Sequence, residues 1–385
     1  MTARVHAGVE RVLAQTAGHP IRVVSTEQLG SEWAQVARLT LDAPLEGAGP
    51  TVVLKTRRVG QTGWGFDFFN LRSERATLQT LAALGVEVAP RFIAGDDDAG
   101  ILVMTDLGAG PTVGRLLSAA DSAIATRGLE ALGRTVGRLH AATLSRAAYD
   151  EYYARRAALG PVDPEWDRRS TFTSPMNKWP RLSEHMTAFG YPDGAQAAPE
   201  VATLFDELTA PGPLIALSLL DLTPMNAVMA GPDETRLIDF ESAGFRHLAL
   251  DAAVLRFPFP HYGYWAVMPE EPRRQMEVAY RAEVGAAWPG AANDAEYNRI
   301  IAAGCAVWAI NRTSRLARIE EANEESWRRR VQIVHTIKTF VGAAREASVF
   351  PQLADWFAHL VHVMRARWPE ANDPPPAFPA FATSL

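Results

Sequence analysis

Apolar and polar positions alternate in the first part of the chain, and then the period changes. Residues 21–28 (IRVVSTEQ) and 34–41 (AQVARLTL) have the two-residue alternation and β-branched content of strands, with a turn expected at Gly30-Ser31. Residues 51–56 (TVVLKT) predict a third strand, preceded by a Gly- and Pro-rich loop, APLEGAGP. Over 71–84 the apolar positions Leu71, Leu78, Leu81 and Leu84 fall at helical spacing, and Gly85 follows as a stop. Residues 91–95 and 101–105 (ILVMT) then predict a hairpin around Asp96-Asp97-Asp98, an acidic turn expected to face solvent.

After Leu107 the helical period takes over. It runs through 112–119, 122–142 and most of 270–369, broken only at 214–240, where ALSLLD, NAVMAG and TRLIDF predict short strands and loops. The expected architecture is therefore α+β and bilobal. Residues 1–107 form a small antiparallel sheet lobe with one helix, and residues 108–385 form a larger, mainly helical lobe. The Gly-Ala-Gly-Pro stretch at 108–111 marks the join. The Pro-rich end, EANDPPPAFPAFATSL, is expected to be irregular.

Composition narrows the class. The chain has 385 residues and 48% hydrophobic content, enough for a sizeable core and too much for a disordered chain. A net charge of −6 gives no support for a nucleic-acid partner. The single cysteine, Cys305, sits in the apolar run AAGCAVWAI and is expected to be a core thiol. No apolar run reaches the roughly 18 residues of a membrane helix. The first residues, MTARVHAGVERVLAQ, lack the apolar stretch of a signal peptide, so the expected location is the cytoplasm.

Candidate chemistry lies in LIALSLLDLTPMNAVMAG. Asp221 and Asn226 bracket Pro224, which disfavours an unbroken helix and leaves a loop able to turn a carboxylate and a carboxamide toward one point. RLIDFES then places Asp239 at the end of an apolar strand. Phosphoryl transfer needs a carboxylate at the acceptor hydroxyl and oxygen ligands for Mg²⁺. It also needs a cation on the nucleotide phosphates, and Lys55, in one of only three lysine positions, ends the strand VVLK. A buried ammonium requires an acid, and Glu74 on the following helix is the candidate. Taken singly, each has a bland reading: Asp221 and Asn226 as a polar turn, Lys55 as a snorkelling edge lysine, Glu74 as a solvated helix residue. The order of all four along the chain carries the sharper one.

Here the chain resembles the aminoglycoside phosphotransferase-like small-molecule kinases, a group that includes choline kinases. The resemblance covers roughly 20–260. It rests on VVLK, SERATLQTL, ILVMTDLG, LGRTVGRLHAAT with His140, DLTPMN, LIDFESAG and HLALDAAVLR with Asp251. It implies ATP and Mg²⁺ as cofactors and a small-molecule hydroxyl as acceptor: an aminoglycoside, an amino alcohol, a sugar or a related metabolite. It implies Asp221 as the catalytic base, Asn226 and Asp239 as metal ligands, and Lys55 paired with Glu74 at the phosphates. The backbone of Met104, Thr105 and Leu107 is implied as the adenine hinge, and the turn at Gly30-Ser31 as the phosphate cover. His140 and Asp251 are expected to be structural, Asp251 by bracing the catalytic loop.

The chain departs from the family where His-Gly usually precedes the catalytic Asp: Leu219 and Leu220 stand there. The departure keeps open a nucleotide-binding pseudokinase or a non-catalytic interaction protein as alternatives. For the acceptor, the aromatic cluster Tyr262, Tyr264 and Trp265, the helix residues Trp308 and Arg312, and Glu320 of an acidic helix face are candidates, against core packing and a solvated face as the bland readings.

Overall fold

The structure, a computed structural model, describes residues 3–29, 35–56, 69–169, 194–256, 266–314 and 323–382, with Trp179, Pro180, Leu182, Glu184, Thr187 and Leu316; of Phe69 and Asn70 only the backbone is described. Gly30, Ser31, Tyr262, Tyr264, Trp265 and Glu320 lie outside the described residues.

Five strands form one antiparallel sheet in the order β1-β2-β3-β5-β4: β1 Val23–Leu29, β2 Val36–Leu45, β3 Gly49–Thr56, β4 Phe92–Asp96 and β5 Ile101–Thr105. The strands expected from the sequence are all there. The APLEGAGP loop is shorter than expected, because Leu45 still pairs with Gly49 after a register shift. Gly47 and Gly49 take φ of 72° and 83°, which closes the chain in a tight hairpin that a Cβ would strain.

A helix the alternation pattern did not announce, α1 (Ala3–Ala17), covers one face of this sheet. Its Val9, Val12 and Leu13 pack with Leu39, Val52, Leu54, Ile101 and Val103. Their i, i+3 and i+4 spacing is the signal that could have found it. The expected helix α2 (Phe69–Ala83) lies on the other face, where Leu78 and Leu81 join Leu102 and Met104 in the larger core. With both faces covered, β5 reads ILVMT without alternation. Gly85 ends the helical segment at φ 67°, and Val86 N–H bonds back to Leu81 O at 2.9 Å.

The remainder is mostly helical. Helix α3 (Val113–Leu117) follows the linker, and α4 (Ser122–Thr143) is capped by the Asp121 side chain on Ile124 N–H. Then come α5 (Arg146–Ala158) and α6 (Ala198–Thr209). The 214–240 segment forms β6 Ile215–Ser218, β7 Ala227–Gly231 and β8 Glu234–Leu237; β9 Gly244–His247 pairs with β6, and β7 pairs with β8. After α7 (Ala249–Ala252), the long helices α8 (Glu270–Val284), α9 (Asp294–Thr313), α10 (Glu324–Ala347) and α11 (Pro351–Arg367) build the core. Helix α4 meets α8 through Gly133 and Gly137: a Cβ there would sit 2.2 Å from Met276 O and 2.7 Å from Tyr280 O. Among the described residues no helix is long and apolar enough to cross a membrane.

Two core expectations hold, and one needs refining. Cys305 is fully buried, and burial pushes its thiol up to about 12, so it is no nucleophile. His140 is buried, with Nδ1 2.9 Å from the Tyr280 hydroxyl. The Pro-rich end is irregular, with 3₁₀ turns, yet it is not loose. Val267 N–H bonds to Pro376 O at 2.8 Å, and Phe378 and Phe381 are buried, because two aromatic rings outweigh the lack of regular backbone pairing.

Candidate active site

Strand parity aims Lys55. Val52 and Leu54 point into the α1 core, so Val53 and Lys55 point to the opposite face, the one α2 covers. There Lys55 Nζ lies 2.6 Å from Glu74 Oε2, 2.5 Å from Asp239 Oδ1 and 3.1 Å from Glu241 Oε2. The expected Lys55–Glu74 pair forms, and two more carboxylates close on the same ammonium.

One ammonium faces three carboxylates here, with Glu74 2% exposed. Burial would lower the Lys55 pKa, but Glu74, Asp239 and Glu241 outweigh it and hold it above the ordinary lysine value. Burial raises Glu74, and the charges of Asp239 and Glu241 add to that rise against the pull of Lys55. The cluster is acid-rich, which suits a cation. Glu241 was missed by sequence reading. Its signal was its place two residues after Asp239, where a 3₁₀ turn, Phe240–Ser242, swings it back toward Lys55.

Asp239 itself is left-handed, at φ 67° and ψ 60°, a conformation costing about 1–2 kcal/mol for a residue with a Cβ. The bend turns its carboxylate off the strand direction and onto Lys55.

The Asp221–Asn226 loop is short and braced. Pro224–Asn226 form one 3₁₀ turn, in line with the expected loop. Asn226 Nδ2 donates to the Asp221 backbone carbonyl at 2.9 Å, so the carboxamide spends its NH₂ on the loop and keeps its oxygen as an acceptor. Asp251 accepts the Ser218 hydroxyl at 2.8 Å, Leu219 N–H at 2.7 Å and Leu220 N–H at 3.1 Å. Its expected bracing position is thus occupied. Leu219 is buried, and Leu220 takes φ 65° just before Asp221.

The oxygen donors present suit Mg²⁺. The Asn226 amide oxygen and the Asp239 carboxylate are hard ligands, and among the described residues no group of three or more His, Cys, Asp and Glu side chains is arranged to hold a metal alone. Mg²⁺ takes oxygens of this kind and completes its shell with water and substrate phosphates.

The segment expected to be the hinge is held by a pair that sequence reading missed. Arg38 grips Asp106 with two bonds of 2.6 and 3.1 Å and reaches Gly108 O at 2.7 Å. Asp106 is held below the usual carboxylate range: burial opposes this, but the Arg38 guanidinium and Gly108 N–H prevail. Met104 is buried on the face of β5 that α2 covers, and Leu107 is half-buried. Thr105 N–H is committed to Arg91 O at 2.9 Å.

Two of the acceptor candidates, Trp308 and Arg312, lie together on α9. Trp308 donates its indole N–H to Leu250 O at 3.1 Å, beside Asp251, and Arg312 lies over its ring at 5.8 Å. Of the acidic face, Glu324 pairs with Arg328 at 2.5 Å and Glu325 with Arg329, all on the first turns of α10.

A family model described as the phosphotransferase enzyme family matches residues 68–293, well over half of the chain. The match takes in Glu74, Asp221, Asn226, Asp239 and Asp251. No curated protein matches the chain. Among solved structures, a choline kinase from Streptococcus pneumoniae is 14% identical, over 90% of this chain and 99% of that one, with a TM-score of 0.44. A macrolide 2′-phosphotransferase from Brachybacterium faecium is 19% identical, over 82% and 95%, at 0.44. An aminoglycoside phosphotransferase from Alicyclobacillus acidocaldarius is 14% identical, over 88% and 93%, at 0.43.

Proposed function

The chain belongs to the phosphotransferase enzyme family, and from that premise we propose that it moves the γ-phosphoryl group of ATP, with Mg²⁺, onto a hydroxyl of a small molecule. The observation that carries the reading is the convergence on Lys55 of Glu74 and Asp239, the latter 184 residues away in the chain. An ammonium wrapped in carboxylates at the end of a cleft strand is poised to exchange part of that contact for nucleotide phosphates.

In this reading residues 1–107 form the nucleotide lobe and 108–385 the catalytic and acceptor lobe. Asp221 orients the acceptor hydroxyl and takes its proton. The acceptor oxygen bonds to the γ-phosphorus as the bond to the β–γ bridging oxygen breaks, and ADP leaves. Lys55 and Glu74 place the phosphates. Asn226 and Asp239 would hold Mg²⁺, which supplies charge neutralisation on the phosphate oxygens. The backbone near Met104 and Leu107, stiffened by Arg38 on Asp106, seats the adenine. Most of the rate comes from positioning and electrostatics, because the transition state is loose.

Two measurements test this. Mg-ATP should raise the melting temperature, since a ligand selective for the folded state stabilises it. Phosphate transfer to a panel of aminoglycosides, amino alcohols and sugars should be abolished by Asp221→Asn while nucleotide binding persists. Turnover unchanged in Asp221→Asn would sink the mechanism. Stabilisation without turnover on any acceptor would favour the pseudokinase alternative, and no stabilisation at all the non-catalytic one.

A further inference from the structure

Asn226 is held by three bonds, two within its own loop and one to the residue before Asp239. Its N–H reaches Thr223 O, its carbonyl accepts Ile238 N–H, and its side chain donates to Asp221 O, each at 2.9 Å. None of these fixes it relative to the hinge. The side chain next to it reaches that way. Met225 reaches from the same 3₁₀ turn to the linker, where the Thr112 hydroxyl lies 3.9 Å from its sulfur. Thr112 is also the cap of α3, accepting Arg115 N–H at 3.2 Å.

The fit is close at two glycines. A Cβ on Gly114 would stand 2.2 Å from Met225 Sδ, and one on Gly110 would stand 1.9 Å from Met229 O. Between them Pro111 O accepts Met229 N–H at 2.9 Å, and Thr112 bridges to Val228. Residues 110–114 thus lie along 225–229. The linker's upstream end is gripped by Arg38 through Asp106 and Gly108.

We propose that Met225, seated against Gly114, is a positioning residue that registers the Asn226 carboxamide with the nucleotide hinge. The thioether works as a flexible plug in a space that only a glycine leaves open. Because Met225 acts through Asn226, its loss moves the metal side of the site and leaves the adenine side in place. This inference rests on the phosphotransfer reading above.

The test is ATP binding by calorimetry across a Mg²⁺ titration, for the wild type, Gly114→Ala, Met225→Ala, Met225→Leu and the Gly114→Ala/Met225→Ala pair. Gly114→Ala should raise the Mg²⁺ concentration at half effect by about tenfold, the scale expected when a metal ligand loses its support. ATP binding without Mg²⁺ should not change. Met225→Ala should give a smaller rise, Met225→Leu should restore the wild-type midpoint, and the double variant should return to the Met225→Ala value. Should Gly114→Ala fail to fold, Met225→Ala against Met225→Leu carries the same contrast. Midpoints unchanged in every variant, single effects that add in the double variant, or an equal loss of Mg²⁺-free ATP binding would each overturn the proposal. A wild type whose ATP binding ignores Mg²⁺ would overturn the phosphotransfer reading first, and this inference with it.

Discussion

The carboxylate of Asp251 holds Leu220 in a left-handed backbone conformation. It accepts Leu220 N–H at 3.1 Å and Leu219 N–H at 2.7 Å while Leu220 sits at φ 65°. A leucine rarely adopts that geometry, which costs about 1–2 kcal/mol without glycine's freedom. The strain persists because a buried acid, 1% exposed, over-determines the turn from behind. Leu219-Leu220, standing where the resembled family has His-Gly, therefore put a strained residue directly before Asp221.

That strain predicts an inverted order of stability. At an ordinary helix or strand position Gly is less stable than Ala by about 0.5–1 kcal/mol. At Leu220 both truncations lose the same half-buried side chain, but only Gly relaxes the backbone. Leu220→Gly should be more stable than Leu220→Ala by about 1 kcal/mol in urea unfolding. The usual order would mean that the left-handed turn is unstrained.

Asp251→Asn should be costly without changing volume. The amide keeps one acceptor oxygen, and its NH₂ would face a donor that the carboxylate now accepts. A loss of about 1–3 kcal/mol is expected from the unsatisfied buried donors. Phosphate transfer should fall further than nucleotide binding, since the loop carrying Asp221 is released while the hinge is untouched. Calorimetric ATP binding alongside turnover separates the two.

Lys55→Met should leave Glu74, Asp239 and Glu241 without their cation. Removing one partner of a buried pair costs about 3 kcal/mol or more. Glu74 is already pushed upward by burial and like charge, so without Lys55 it protonates at still higher pH. The deficit should therefore shrink as pH falls toward the carboxylate range. Urea midpoints of wild type and variant across that range check it, and a deficit that does not change with pH would contradict the charge argument.

His247 should make the fold acid-sensitive. Burial first, then the nearby Arg299 and His140, lowers its pKa from 6.5 to about 3. Its Nδ1 accepts Ala249 N–H at 3.1 Å, a bond that only the neutral ring can make. The folded pKa is depressed, so the stabilisation is complete above 6.5 and is lost as pH falls toward 3. At about pH 5 the loss from this group is about 2 kcal/mol. His247→Asn keeps an acceptor for Ala249 without the titration, so its unfolding free energy should change less between about pH 7.5 and about pH 5 than the wild type's.

Much of the fold was legible because burying one face of an element imposes a local period. The strands 21–28, 34–41 and 51–56, the hairpin at 91–105 and the helix after Lys55 all appear close to where alternation and apolar spacing put them. The strand loop at 43–50 misled because Gly and Pro mark a turn without giving its length, and α1 was passed over although its apolar spacing was present. Part of the site was legible for the same reason. Lys55, Asp221, Asn226 and Asp239 stand out because a charge or a turn former interrupts an apolar run.

The sequence by itself determined the order of most of the elements and offered the candidate residues for the chemistry. Only the tertiary structure decided which of them meet. Lys55 finds Asp239 across 184 residues, Arg38 finds Asp106 across 68, and Met225 finds Thr112 across 113. Those partners depend on how whole elements pack, and a local period carries no information about that. The same holds for Leu220: nothing in its neighbours announces a left-handed leucine, because the force that holds it comes from Asp251, 31 residues on.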